Sequence, residues 1–137
     1  MKLLDANVFV YAFGADHEYR HACRKILRMI RAGTLAATVN VEAFQEILHY
    51  FHYTRRDDLG RRVLTRMVQA FPQAIVVTPS DMLSAAILLD RYPHLQARDS
   101  VHLATIYAHN LEGIISADRG FDIIEGLKRF DPKELAA

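Results

Sequence analysis

Short apolar runs alternate along this chain with longer amphipathic segments, and this alternation limits the possible folds more than any other feature. The short runs are predicted as strands over residues 2–4, 35–39, 74–78 and 113–116. Helices are predicted from about residue 7 and over residues 19–31, 41–54, 59–71, 78–91 and 99–109. Strands that alternate with helices form a parallel sheet covered on both faces. The predicted fold is therefore α/β, a three-layer sandwich with a central, mostly parallel sheet flanked by helices.

The size and composition of the chain fit one globular domain over residues 1–137, with 51% hydrophobic and 24% charged residues. No apolar run approaches the ~18 residues that a membrane span needs, and the N-terminus lacks the pattern of a signal peptide. Cys23 is the only cysteine, so no intrachain disulfide can form and a cytoplasmic location is expected. The net charge of +1 does not identify a partner, because a local basic patch can bind nucleic acid in a nearly neutral protein.

Acidic residues occur where the predicted strands end and where the predicted helices begin. Asp5 follows the first strand and Asp118 follows the last, so both are expected at the carboxyl edge of the sheet, where ligands of parallel sheets bind. Glu46 lies at the border of the apolar face of its helix, and Asp99 lies in the first turn of another. These four acids are predicted to line one pocket.

Each acid also has an ordinary structural interpretation. Asp5 can cap a helix, Asp99 can be a first-turn acid, Asp118 can be a turn residue and Glu46 can be a solvated helix residue. Together, however, four carboxylates repel one another unless a cation lies among them. Oxygen ligands without cysteine favour a hard divalent ion, which indicates one or two Mg²⁺ or Mn²⁺ ions and hydrolysis of phosphate esters.

Four segments, LLDANVFVYA, VEAFQEILH, ARDSVHLA and ISADRGFD, resemble in their order and spacing the PIN-domain nucleases. The small single-domain form is similar to the VapC-type toxins of toxin–antitoxin pairs. The resemblance implies a metal-dependent endoribonuclease, a cognate antitoxin that blocks the site, and a homodimer. By position, Asp5, Glu46, Asp99 and Asp118 match the acidic metal-binding quartet of the family.

The same resemblance suggests supporting residues. Asn7 and Ser116 match polar residues beside the quartet, and Asp122 is a further candidate acid. Glu42 competes with Glu46 for the glutamate role, because it lies on the same helix face four residues earlier. The alternative is a non-catalytic or differently targeted PIN-fold protein that binds or processes RNA.

Basic and aromatic residues provide candidates for RNA binding. Arginines cluster on the helix over residues 19–31 and at the junction near residue 55, and the four nucleic-acid-binding candidates are Arg24, Arg28, Arg55 and Arg56. Tyr50, Tyr53 and His52 are candidates for stacking on unpaired bases, although packing in the core is the simpler interpretation of the tyrosines.

One competing motif is HEYRH, in which His17, Glu18 and His21 match the zinc-hydrolase pattern H-E-x-x-H. Polar neighbours and the lack of a third ligand at a fixed spacing argue against a zinc site of this kind. His49, His102 and His109 are interpreted as helix-surface or core-edge residues, since no cysteine or histidine partner recurs at ligand spacing.

Overall fold

A four-stranded parallel sheet lies at the centre of the protein, whose computed structural model describes residues 1–137. The strands are β1 (Lys2–Leu4), β2 (Ala37–Thr38), β3 (Ile114–Ile115) and β4 (Arg129–Phe130), in the spatial order β2-β1-β3-β4. Leu4 of β1 pairs with Ile115 of β3, so these two strands end side by side. Their carboxyl ends consequently bring Asp5 and Ser116 together, although the two residues are far apart in the sequence.

Seven helices and one 3-10 turn surround the sheet. They are α1 (Ala6–Phe13), α2 (Arg20–Arg31), α3 (Val41–Tyr53), α4 (Asp57–Ala70), α5 (Pro79–Arg91), α6 (Ala97–Ala108), the 3-10 turn (Arg119–Ile123) and α7 (Pro132–Leu135). Polar side chains cap the N-termini of several of these helices. Asn40 caps α3 by accepting the amide hydrogen of Ala43, and Thr78 and Asp81 form a reciprocal capping box on α5. None of the helices combines the length and apolar character that crossing a membrane requires.

Hydrophobic residues pack on both faces of the sheet. Leu4 and Ile115 belong to the larger core cluster, which includes buried residues of α1, α2, α3 and α4. Leu3 and Ile114 point to the other face, where they pack in a second cluster with Leu103 of α6. Successive strand residues alternate between faces, so two adjacent leucines serve two cores. This arrangement confirms the predicted α/β sandwich with a parallel sheet between two helical layers.

Two parts of the fold differ from the sequence prediction. Residues 74–78 form no strand, because only Ile75 pairs with the strand region, through a single parallel bridge to Asn40, and Val76 is exposed. In contrast, β4 and α7 were not predicted. The two residues of β4 include a charged arginine, so they show no apolar run, and the four residues of α7 are too few for a helical period.

Candidate metal centre

A cleft of about 590 Å³ opens at the carboxyl ends of β1 and β3. It lies between α1, α3 and the start of α6. All four acids expected at this edge line the cleft: Asp5, Glu46, Asp99 and Asp118. Glu42 lines it as well. The topology of the parallel sheet therefore brings together residues that are up to 113 positions apart in the sequence.

Asp5 lies at the floor of the cleft and is only 5% exposed. The hydroxyl of Ser116 donates a hydrogen bond to Asp5 Oδ2 at 2.6 Å, and the amide of Asn7 approaches Oδ1 at 3.5 Å as the helix cap. Burial raises the pKa of Asp5 to about 6, because the charge of His102 and the hydrogen bond from Ser116, which lower it, only partly offset this effect. The carboxylate is therefore costly to ionise unless a positive charge compensates it.

Ser116 connects three of the predicted residues. Its hydroxyl oxygen accepts hydrogen bonds from Asn7 Nδ2 and from the amide of Asp118, both at 3.0 Å, while its proton goes to Asp5. These bonds leave Asn7 Oδ1 buried and without a hydrogen-bond partner within the protein. A buried carbonyl oxygen with no donor is an incomplete arrangement that a cation or an ordered water would complete.

Glu46 is held by a histidine that was not expected in the site. The imidazole Nε2 of His102 donates to Glu46 Oε1 and lies 3.9 Å from Asp5 Oδ1. His102 is fully buried, so its assignment as a helix-surface or core-edge residue was wrong. Burial lowers the pKa of the imidazole, but the hydrogen bond and charge of Glu46 outweigh this effect and raise it overall.

A buried chain of hydrogen bonds determines which nitrogen of His102 carries the proton. Asn40 Nδ2 contacts His102 Nδ1 at 3.1 Å and Thr105 Oγ1 at 2.9 Å, and Asn40 Oδ1 accepts the amide hydrogen of Ala43. Rotating the amide by 180° would turn its NH₂ group toward that backbone donor, so the orientation is determined by the network. In the neutral imidazole, Nδ1 is therefore the acceptor and the ring proton lies on Nε2, where it orients Glu46.

Asp99 and Asp118 line the same cleft but also stabilise local backbone turns. Asp99 Oδ2 accepts the amide hydrogen of Gln96 at 3.2 Å in the capping box of α6, and Asp118 Oδ1 accepts that of Gly120 at 2.8 Å. Burial raises the pKa of Asp99, and the Gln96 bond only partly offsets this increase. The structural and the functional interpretations of these acids are thus compatible, because a capping carboxylate keeps a second oxygen for a ligand.

The donor atoms fit a hard divalent cation. Ligand atoms of Asp5, Glu46 and His102 lie within 4.8 Å of one another, and Asp99 and Asp118 add carboxylates along the wall. Because Nε2 of His102 bears the proton given to Glu46, the available donors are carboxylate oxygens and the unpaired oxygen of Asn7. An all-oxygen set of this kind is typical of Mg²⁺ or Mn²⁺ sites.

Asp122 and Glu42, the two further acids considered for the site, differ in their position relative to the cleft. Asp122 does not line it, because Arg129 of the unpredicted strand β4 binds both of its carboxylate oxygens, at 2.7 and 3.1 Å, and lowers its pKa. Glu42 does line the cleft, and burial raises its pKa, but unlike Glu46 it receives no hydrogen bond from His102.

None of the four arginine candidates lines the cleft: Arg24, Arg28, Arg55 and Arg56. Arg24 instead donates to the carbonyl of Ala12. The basic residue at the cleft is Arg98, which precedes Asp99 and places its Nε 3.7 Å from Glu46 Oε2. Sequence reasoning overlooked it, since a lone arginine beside an acid carries no periodic signal.

The zinc-hydrolase alternative is contradicted by the local backbone. The helix begins at Arg20, so His17 lies in the preceding loop and not one helical turn before His21. His17 Nδ1 accepts the amide hydrogen of Tyr19, and Glu18 forms an ion pair with Lys133. These residues do not form a metal-binding group in the structure.

The Asn40→Asp substitution tests the hydrogen-bond chain directly. Aspartate caps a helix as well as asparagine does, so α3 should be retained, but its carboxylate would present an acceptor to His102 Nδ1. We expect the ring to gain a proton on Nδ1, which ¹⁵N NMR of the imidazole nitrogens would detect as a change from the Nε2–H tautomer. Unchanged nitrogen shifts in a variant with wild-type helix content would contradict the assignment.

The chain is similar to known proteins over most of its length. A family model described as PIN domain matches residues 2–127. Ribonuclease VapC7 of Mycobacterium tuberculosis is 32% identical over 126 residues, covering 88% of this chain and 84% of that protein. Ribonuclease VapC13 of the same organism is 29% identical over 129 residues, covering 94% of this chain and 98% of that protein.

Solved structures share the fold at low sequence identity. The crystal structure of FitAcB from Neisseria gonorrhoeae aligns with a TM-score of 0.71 and 15% identity, covering 97% of this chain and 99% of that one. A toxin–antitoxin complex from Klebsiella pneumoniae aligns with a TM-score of 0.67 and 18% identity, covering 96% and 98%. These similarities agree with the parallel sheet and its helical layers.

Proposed function

Since the chain belongs to the PIN domain family, as its four motifs indicated, we propose that it is a metal-dependent endoribonuclease and the toxin of a toxin–antitoxin pair. The observation that carries this proposal is the meeting of Asp5, Glu46, Asp99 and Asp118 in one open cleft. The names of the related ribonucleases support RNA as the substrate. The proposal also includes a single PIN-like nuclease domain over residues 1–137.

In this proposal the four carboxylates hold Mg²⁺ or Mn²⁺. The cation would supply Lewis acidity, which lowers the pKa of water and offsets negative charge that develops on the phosphate. The protein positions its own groups before the reaction begins. Ser116 orients Asp5 and His102 orients Glu46, so neither carboxylate has to be immobilised when substrate arrives.

Other side chains act on the water and the RNA. The free oxygen of Asn7 can accept a hydrogen bond from a water molecule beside Asp5 and thereby orient the oxygen that attacks phosphorus. Arg98 is half-exposed at the cleft, where its guanidinium can contact a phosphate oxygen. Hydrolysis forms a bond between the water oxygen and phosphorus and breaks the bond from phosphorus to the leaving ribose oxygen. The attacking water loses a proton to the solvent, and the leaving oxygen takes up a proton from the solvent.

The proposal is tested by incubating the purified chain with a mixed pool of structured RNAs. We expect cleavage with Mg²⁺ or Mn²⁺ and none with EDTA, because the clustered carboxylates repel phosphate when no cation is bound. DNA of the same length and composition is the control for substrate class. Equal cleavage with and without EDTA would contradict the metal requirement. RNA binding without cleavage would favour the alternative of a non-catalytic RNA-binding protein.

The proposal also includes a complex with a protein antitoxin and a homodimer. A protein antitoxin is supported by the solved structure described as a toxin–antitoxin complex, whose fold this chain shares. A homodimer is supported by an exposed apolar stripe on α5, where Leu83 and Ile87 lie four residues apart and are 71% and 70% exposed. Sedimentation of the purified chain would decide whether the dimer forms.

A further inference from the structure

We propose that Tyr53, supported by His49, is a stacking subsite for an unpaired nucleobase at the outer end of the acidic cleft. The inference rests on the proposed function and deepens it, because it specifies single-stranded RNA as the substrate. It concerns the wall of the cleft that α3 forms, and it involves none of the residues proposed to hold the cation.

The exposure of Tyr53 is the first observation. Tyr53 is the last residue of α3 and is 80% exposed, yet it lines the cleft. Its ring is stacked with that of His49, with centroids 6.2 Å apart and an interplanar angle of 19°. A largely exposed aromatic ring that lies beside one nearly parallel neighbouring ring keeps a face that can bind the flat face of a base.

The spacing along α3 is the second observation. Glu42, Glu46, His49 and Tyr53 follow one another at intervals of three or four residues, so they lie along one side of the helix, and all four line the cleft. Tyr53 lies seven positions after Glu46, which corresponds to about 10 Å along the helix axis. A nucleotide next to the one whose phosphate lies among the acids can therefore reach the ring of Tyr53.

Other aromatic residues near the cleft are already engaged. Tyr11 is stacked on His17, with centroids 4.1 Å apart and an angle of 9°. Tyr50 is half-buried and packs edge-on against Phe51. His52, which the sequence suggested as part of the stacking group, is bound to Asp57 and does not line the cleft. Tyr53 is thus the aromatic residue of the cleft with a free face.

The charges of the cleft favour a base over a phosphate at this position. Glu42 and Glu46 lie on the same side of α3, so a phosphate there would be repelled, whereas a base carries no net charge. Arg55 and Arg56 follow directly after the helix and are exposed, where they can contact the backbone of the same strand. Because the faces of paired bases are already stacked in a duplex, the subsite selects unpaired RNA.

The experiment compares two fluorescent RNA nonamers that differ only by an abasic site at one position. Binding is measured by anisotropy in EDTA and again with Ca²⁺, for wild type, Tyr53→Ala, Tyr53→Phe and His52→Ala. His52→Ala is the matched control, since it removes an exposed ring from the adjacent position outside the cleft. Sedimentation of each variant controls for a change in oligomeric state, and Mg²⁺-dependent cleavage is recorded separately.

We expect Tyr53→Ala to weaken binding of the intact RNA by about 5- to 100-fold while leaving the abasic RNA nearly unaffected. Tyr53→Phe and His52→Ala should bind like wild type. Equal affinity of Tyr53→Ala and wild type for the intact RNA, an equal loss for both RNAs, or no binding by wild type with Ca²⁺ would overturn the subsite. If Tyr53-dependent binding is found without any cleavage, the subsite is supported and the nuclease proposal fails.

Discussion

We expect the Asp5→Asn variant to cleave RNA about 100-fold to about 1,000-fold more slowly than wild type with Mg²⁺. The introduced asparagine would keep nearly the same volume and could still cap α1, so the backbone should not change. It would lack the negative charge that the cation requires, and it would accept the Ser116 proton less strongly. Initial rates on one defined RNA, measured over a series of Mg²⁺ concentrations, would separate weaker cation binding from slower chemistry.

Asp122→Asn is the matched control for this prediction. Asp122 was a candidate for the same pocket, but it is bound by Arg129 and lies outside the cleft. Its substitution removes one carboxylate from the chain without changing the proposed centre, so we expect wild-type cleavage. If the two variants were equally active, or if Asp122→Asn were the slower enzyme, the assignment of Asp5 to the site would be wrong.

The meeting of the acids could be predicted from the sequence because it follows from topology alone. A carboxylate after one parallel strand and a carboxylate after another must approach the same edge, whatever the details of packing. The border of the apolar helix face indicated where Glu46 lies, and the first-turn position indicated where Asp99 lies. Their contribution to a metal site is a prediction that the variants above can test.

The residues that orient the acids could not be predicted in this way. His102 and Asn40 are 62 residues apart, and their contact depends on how α6 packs beside the start of α3. A single histidine on an apolar helix gives no spacing that would distinguish a core residue from a partner of Glu46. The rule that a buried polar group needs a hydrogen-bond partner would have justified a search, because His102 is followed by Leu103 and Ala104 on a largely apolar helix.

Asp122 shows why short elements limit prediction from sequence. In an α-helix, Asp122 would lie one turn after Asp118 and would point toward the same pocket. The segment is instead a 3-10 turn, which has a different rotation per residue. Its partner Arg129 lies in β4, a strand of two residues that leaves no pattern in the sequence. The position of Asp122 therefore depends on its contact with β4, which is too short to be recognised in the sequence.

The stability of the metal-free protein is expected to fall as pH rises through the titration of Asp5. Burial raises the pKa of this carboxyl from 3.8 to about 6, so between these values the folded state binds a proton that the unfolded state releases. Binding more protons in the folded state makes the free energy of unfolding decrease as pH increases. The contribution of Asp5 is fully present below its unfolded pKa and is lost by the time pH has risen through about 6.

Ionisation of Asp5 is expected to lower the free energy of unfolding by about 3 kcal/mol. Comparison with Asp5→Asn separates this decrease from the effects of the other titrating groups. Chemical unfolding in EDTA at about pH 4 should give similar free energies for the two proteins, since neutral Asp5 resembles asparagine. At about pH 7.5 the variant should be the more stable by up to about 3 kcal/mol. Adding Mn²⁺ should reverse this order, because a cation bound by the ionised carboxylates stabilises wild type more than the variant. Parallel stability curves for the two proteins across this pH range, with equal responses to Mn²⁺, would mean that Asp5 is a structural cap and not part of a cation site.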